Sequence, residues 1–236
     1  MGIARRGYPG DEDYKGAMIA AAPTTHQDCF RLLVKHLRRG ASVLELGAGT
    51  GAFAMRLKDA GYKVEAADID LSEWAPEDIP VYQIDLNAPL PRGMKRYDAI
   101  VAVEVIEHLE NPHKFLRDCR RLLKEDGLLL LSLPNIVNLD SRRKFLFSGT
   151  FYSYSRNSIE RSGHMTLLPF WLAEQIFKKE GWEVVERRGV GRLPPRPHIL
   201  KLLSPLVNIL LCPIGWLRIP RELNWSTSVA YVLRPC

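Results

Sequence analysis

The 236 residues carry 33 Lys and Arg against 27 Asp and Glu, a net charge of +6, with 46% hydrophobic and 25% charged residues. That composition excludes disorder and collagen-like repeats, and a chain this long folds without disulfide or metal staples. Cys29, Cys119, Cys212 and Cys236 are scattered with no Cys-x-x-Cys pair, which argues against a disulfide scaffold, a zinc ribbon or a redox dithiol.

In chain order, residues 25–38 place Phe30, Leu33, Val34 and Leu37 at helical spacing, with Gly40 as the stop. The apolar run SVLELG then predicts a buried strand opening into Gly47, Gly49 and Gly51. Residues 51–60 predict a helix, YKVEAADI a strand ending in acid, and VYQI and YDAIVAV two further strands. PHKFLRDCRRLLKED predicts an amphipathic helix and GLLLLSLP a strand. From Asn135 to Met165 the rhythm loosens into a basic, aromatic stretch. A helix over 169–180 stops at Gly181, and WEVVERR and STSVAYVL predict the last two strands.

Strands alternating with helices predict an α/β fold: a doubly wound, Rossmann-like, mostly parallel seven-stranded sheet with an antiparallel last strand and a C-terminal helical insertion. With no internal repeat, one domain over 1–236 is expected: a helical lead-in (1–40), a cofactor-binding core (41–134) and a substrate-side half (135–236) with an insertion at 189–224. No signal-like apolar run follows Asp11-Glu12-Asp13, so a cytoplasmic chain starting near Met1 is expected.

The excess charge is local. Between Arg187 and Arg221 lie seven basic residues and no acid, which leaves 26 basic against 27 acidic residues elsewhere, or −1. This strip mixes Arg and Lys with Ile199, Leu200, Leu202, Leu203 and Leu206. That mixture fits peripheral membrane contact or a packed helix pair better than nucleic acid.

The segment VLELGAGTGA, residues 43–52, sets a glycine turn directly after the first strand, where open α/β sheets bind ligands. Gly47-x-Gly49-x-x-Ala52 also satisfies the permissive dinucleotide fingerprint, and Asp68 follows Gly49 by 19 residues, so a nicotinamide oxidoreductase stays open on the loop alone. Three further features separate the readings: Glu45 ahead of the first glycine, Gly51 in strict alternate spacing, and acids at the ends of successive strands, Asp68 and Asp85. These residues resemble the class I S-adenosylmethionine-dependent methyltransferases, whose loop reads E-x-G-x-G-x-G, in register over residues 41 to about 190. The resemblance implies S-adenosylmethionine as cofactor, with Asp68 holding the ribose hydroxyls and Asp85 the adenine amino group. It implies a site of Glu45, Gly47, Ala48, Gly49, Gly51, Asp68, Ile69, Asp85, Leu86 and Val103.

On the acceptor side, Glu104, Glu107 and His108 are spaced i, i+3, i+4, so a helical turn would set all three on one face. The triplet is similar to that of small-RNA 2′-O-methyltransferases, where a downstream histidine, here His164, completes a metal site, and to that of ubiquinone-pathway O-methyltransferases. Small-molecule enzymes with the same turn and no metal support the opposite expectation, that no metal is bound. Pro134, Asn135, Gly149, Phe151, Tyr152 and His164 resemble a bacterial subgroup that modifies cell-surface glycans and lipid-linked saccharides, although Met165-Thr166-Leu167 departs from its pattern. The expected function is therefore methyl transfer from S-adenosylmethionine to oxygen of a small-molecule or glycan-type acceptor, with His108 and His164 as candidate bases. The alternatives are a metal-dependent RNA 2′-O-methyltransferase on Glu104, Glu107, His108 and His164, and a non-catalytic module that keeps the cofactor site.

Overall fold

The computed structural model describes residues 13–193 and 219–236. Seven strands form one sheet: β3 (Ser42–Leu46), β4 (Lys63–Asp68), β5 (Val81–Gln83), β6 (Tyr97–Ala102), β7 (Leu123–Pro134), β8 (Trp182–Arg192) and β9 (Ser226–Pro235), in the order β5-β4-β3-β6-β7-β9-β8. The first five run parallel, and β9 lies antiparallel between β7 and β8. A small hairpin, β1 (Asp13–Tyr14) with β2 (Ala17–Met18), precedes the sheet. The expected architecture holds. The helical insertion, and the membrane contact placed on it, fall largely on residues 194–218, outside the described residues.

The central strands are buried on both faces because helices cover both. The helices are α1 (Thr25–Leu33), α2 (Ala52–Asp59), α3 (Pro112–Leu122), α4 (Leu139–Ser148), α5 (Arg156–Ser162) and α6 (Phe170–Lys179). One core cluster packs Phe115, Leu116, Cys119 and Phe177 beneath Ile100, Leu129 and Tyr231. The other packs Cys29, Leu33, Phe53 and Leu57 against Val43, Val101 and Leu130. This two-sided burial explains the continuous apolar runs of SVLEL and LLLLSL.

Three sequence expectations need correction. The first helix ends at Leu33 rather than near residue 38: the His36 N–H donates to the Leu33 carbonyl, and both Lys35 and His36 reach across to Glu186 of β8 (3.2 and 2.7 Å). The α3 pattern stops at Leu122, because Leu123 already pairs with Tyr97 of β6 ahead of an irregularity in that ladder, and Lys124 reaches Asp98 (2.8 Å). The loosened stretch after Asn135 contains α4 and α5, the first capped by Asn138 accepting from the Ser141 N–H (2.8 Å) and ended by Gly149 at φ 67°.

Candidate active site

β3 and β6 are neighbours, while β4 and β5 extend from β3 to the other side. The strand order therefore reverses at the carboxyl end of β3, the position at which open α/β sheets form a ligand crevice. The glycine loop occupies that crevice. Gly47, Gly49 and Gly51 take φ of 72°, 54° and 85°, a region that disfavours side-chain-bearing residues and explains the alternate spacing. A Cβ on Gly47 would stand 2.5 Å from Val105, and one on Gly51 2.5 Å from Pro76. The N–H groups of Gly47 and Ala48 donate to the Ala67 carbonyl of β4 (2.8 and 3.1 Å), and the Thr50 hydroxyl donates to the Met18 carbonyl (2.7 Å), fastening the N-terminal hairpin to the loop.

The acids surround this loop. Asp68, buried at the end of β4, accepts from the Gly49 N–H (2.6 Å) and the Asp70 N–H (3.0 Å), so one carboxylate shapes both the loop and the turn that follows. Glu45 in β3 is 4% exposed and its Oε2 has no hydrogen-bond partner among the described residues. Burial, and then the charge of Asp68, push its carboxyl up to about 8. Asp85 is exposed just beyond β5 and accepts from the Asn87 N–H (2.8 Å). Ile69 is exposed beside it, and its carbonyl accepts from the Gln83 side chain. Leu86 and Val103 are half-buried, each packed on a different core cluster. All ten sequence-derived cofactor residues thus gather at the carboxyl edge of β3, β4, β5 and β6. A buried carboxyl with one oxygen unpaired among the described residues, beside a loop with no room for a Cβ at Gly47 or Gly51, suits a ligand that brings a cation to the loop.

The second cluster lies at the end of β6. Here the expectation of one helical face fails: the turn is a 3-10 helix, Ile106–His108, and Glu104 stands outside it at φ 54°. Glu104 is instead locked to the sheet. Its N–H donates to Ser132 Oγ (2.9 Å), the Ser132 hydroxyl donates to its Oε1 (2.8 Å), and the Ser228 hydroxyl donates to its Oε2 (3.1 Å). Burial nevertheless pushes this carboxyl up to about 7. Glu107 is 1% exposed, and neither carboxyl oxygen has a hydrogen-bond partner among the described residues. His108 Nε2 lies 4.0 Å from its Oε1. Burial, and then the charge of Glu104, hold the Glu107 carboxyl well above the usual range.

His164 reaches this cluster from 56 residues downstream. The Met165 and Thr166 N–H groups both donate to the Glu107 carbonyl (2.9 Å each), and the Thr166 hydroxyl donates to the Leu109 carbonyl. The imidazoles of His108 and His164 then meet edge to face at 4.8 Å, and Tyr154 lies 5.6 Å from His164. Because the Ser153 carbonyl can only accept, His164 Nδ1 (2.9 Å away) carries the proton, and Nε2 keeps its lone pair. Burial lowers the pKa of His164, which keeps the ring neutral. Glu107, His108 and His164 can each present one ligand atom within 4.8 Å of the others, a set that suits a divalent cation. Ser132, Ser228 and Tyr154 escaped sequence reasoning. Only the ladder that sets Ala102 beside Leu131 brings Ser132 near Glu104.

A family model described as a methyltransferase domain matches residues 21–187. The chain belongs to the class I S-adenosylmethionine-dependent methyltransferase superfamily. It is 31% identical over 159 residues to a probable S-adenosylmethionine-dependent methyltransferase of Mycolicibacterium smegmatis, covering 66% of this chain and 57% of that one. It is also 31% identical over 109 residues to a ubiquinone biosynthesis O-methyltransferase of Glaesserella parasuis, covering 41% and 46%. The chain thus spans about half the length of these curated relatives. Among solved structures, a methyltransferase of Thermotoga maritima shares the fold at a TM-score of 0.60 and 15% identity, covering 90% of both chains.

Proposed function

We propose that this chain transfers the methyl group of S-adenosylmethionine to an oxygen of a small-molecule, glycan or lipid-linked acceptor. The observation that supports the acceptor side is the gathering of the buried Glu107 carboxyl with the imidazoles of His108 and His164, the second of which keeps its Nε2 lone pair. The Gly47–Gly51 backbone would receive the cofactor, with Glu45 available to its ammonium, Asp68 and Asp85 to the ribose hydroxyls and the adenine amino group, and Ile69, Leu86 and Val103 as apolar walls for the base. The cofactor supplies an electrophilic methyl carbon on a sulfonium. His164 Nε2, or His108 beside it, would take the proton that the acceptor hydroxyl gives up. Orientation contributes most of the acceleration, and the base about 10²- to 10⁴-fold.

Methyl-labelled S-adenosylmethionine supplied with bacterial lipid and saccharide extracts should yield label in an O-methyl ether. His164→Ala should lower that turnover about 100-fold or more. It should leave intact the cofactor's thermal stabilisation, about 2.7 kcal/mol at 100 times its Kd. Unchanged turnover in both His108→Ala and His164→Ala excludes the base role. Cofactor stabilisation with no transfer to any acceptor indicates a binding module, and stabilisation by NAD alone overturns the whole reading.

A second reading follows from the clustered ligand atoms of Glu107, His108 and His164, which could hold a divalent cation that orients the acceptor oxygen. A rise in Tm with Mn²⁺ or Zn²⁺ that His164→Ala abolishes, together with loss of turnover on chelation, supports it.

A further inference from the structure

Helix α4 ends in three consecutive exposed apolar side chains, Phe145, Leu146 and Phe147, at 50, 62 and 82% exposure. Successive helical residues point about 100° apart, so no single core contact covers all three. Nine of the fourteen exposed large hydrophobic residues among the described residues fall between Phe145 and Leu172. Clusters of this kind mark contact surfaces rather than chance exposure.

The charge of the same stretch indicates what it contacts. Residues 139–172 contain Arg142, Arg143, Lys144, Arg156 and Arg161 against Asp140 and Glu160. The side chain of Arg143 stays 57% exposed beside Asp140, and the Lys144 ammonium lies over the Tyr152 ring at 6.0 Å. Phenylalanine and leucine at a helix end, preceded within one turn by cations, match the layered chemistry of a lipid surface: phosphates outside, acyl chains within.

We propose that the C-terminal end of α4 docks on an anionic lipid bilayer, with Leu146 and Phe147 entering the acyl boundary and Arg143 and Lys144 meeting headgroup phosphates. The placement couples to the candidate active site. Phe145 stacks on Phe151 (4.8 Å, 12°), and two residues beyond Phe151 the Ser153 carbonyl holds His164. A docked α4 therefore sets His164 one short loop from the bilayer, where a lipid-borne hydroxyl is presented. The docking itself is independent of the acceptor reading.

The test is co-sedimentation of the full chain with vesicles of phosphatidylcholine plus phosphatidylglycerol, and with phosphatidylcholine alone. The wild type should bind the mixed vesicles at low salt and lose binding as salt rises. The double variant L146E/F147E should partition at least roughly tenfold less, and R143E/K144E should lose a similar factor on the anionic vesicles only. Unchanged thermal transitions and cofactor-induced stabilisation show that both variants fold. No binding of the wild type to the mixed vesicles overturns the proposal. Undiminished binding by both variants places any contact elsewhere on the chain and equally overturns it. A dimeric wild type that L146E/F147E converts to monomer shows that the apolar end faces a second copy, which also refutes lipid docking.

Discussion

Glu45 shows how one buried group responds to pH. Its carboxyl is held up to about 8 by burial and by Asp68, against an ordinary value near 4.5. The unfolded chain therefore releases this proton first. Between those values the folded state loses stability as pH rises, because it keeps a proton that the unfolded state has given up. Glu45→Gln, neutral at every pH, should flatten that decline and leave the cofactor-free protein more stable than wild type at pH 8. Thermal unfolding from pH 5 to 8 checks this. If Glu45 meets the cofactor's ammonium as proposed, binding favours the ionised carboxylate, so wild-type affinity should rise over the same range and that of Glu45→Gln should not. The glycine loop was readable in the sequence because positive φ restricts the residue type. The role of Glu104 was not, because its left-handed backbone depends on Ser132 and Ser228, 28 and 124 residues away.

At the scale of elements, α3 carries its boundary in its own sequence. Asn111 accepts from the Lys114 N–H (2.9 Å), and Pro112 occupies the first turn, where a missing N–H costs nothing. Asn111→Ala should cost about 1 kcal/mol, a fall in Tm of roughly 2–4 °C for a chain of this size. The other end of α3 is decided from outside: LLKED has helical composition, yet Leu123 leaves the helix to pair with Tyr97. The same competition ends α1 early, where Lys35 and His36 bond across to Glu186. Local signals thus mark where helices begin, and strand pairing or ion pairs between residues distant in sequence decide where two of them stop.

For the whole molecule, the decisive feature is that β9 threads between β7 and β8, so the end of the described chain completes the middle of the sheet's second half. Tyr231, fully buried in β9, meets Phe177 of α6 edge to face at 5.1 Å. Tyr231→Ala should cost about 3–5 kcal/mol, read as a lowered denaturant midpoint with an unchanged slope. The strand also bears on the site, because Ser228 on β9 and Ser132 on β7 hold Glu104 between them. Damage to β9 should therefore reach the Glu104–Glu107 cluster before the glycine loop, which rests on β3 and β4.

The sequence by itself determined the alternation of strands and helices, the glycine loop and the acids that end successive strands. Each of these is a local demand of backbone geometry or of burial on both faces. Only the tertiary structure decided which polar groups share the acceptor site. His164 joins Glu107 and His108 through the docking of residues 165 and 166 on the Glu107 carbonyl, and Glu104 beside them is held by two serines of separate strands. Such meetings follow from strand order and register, which single-chain periodicity does not encode.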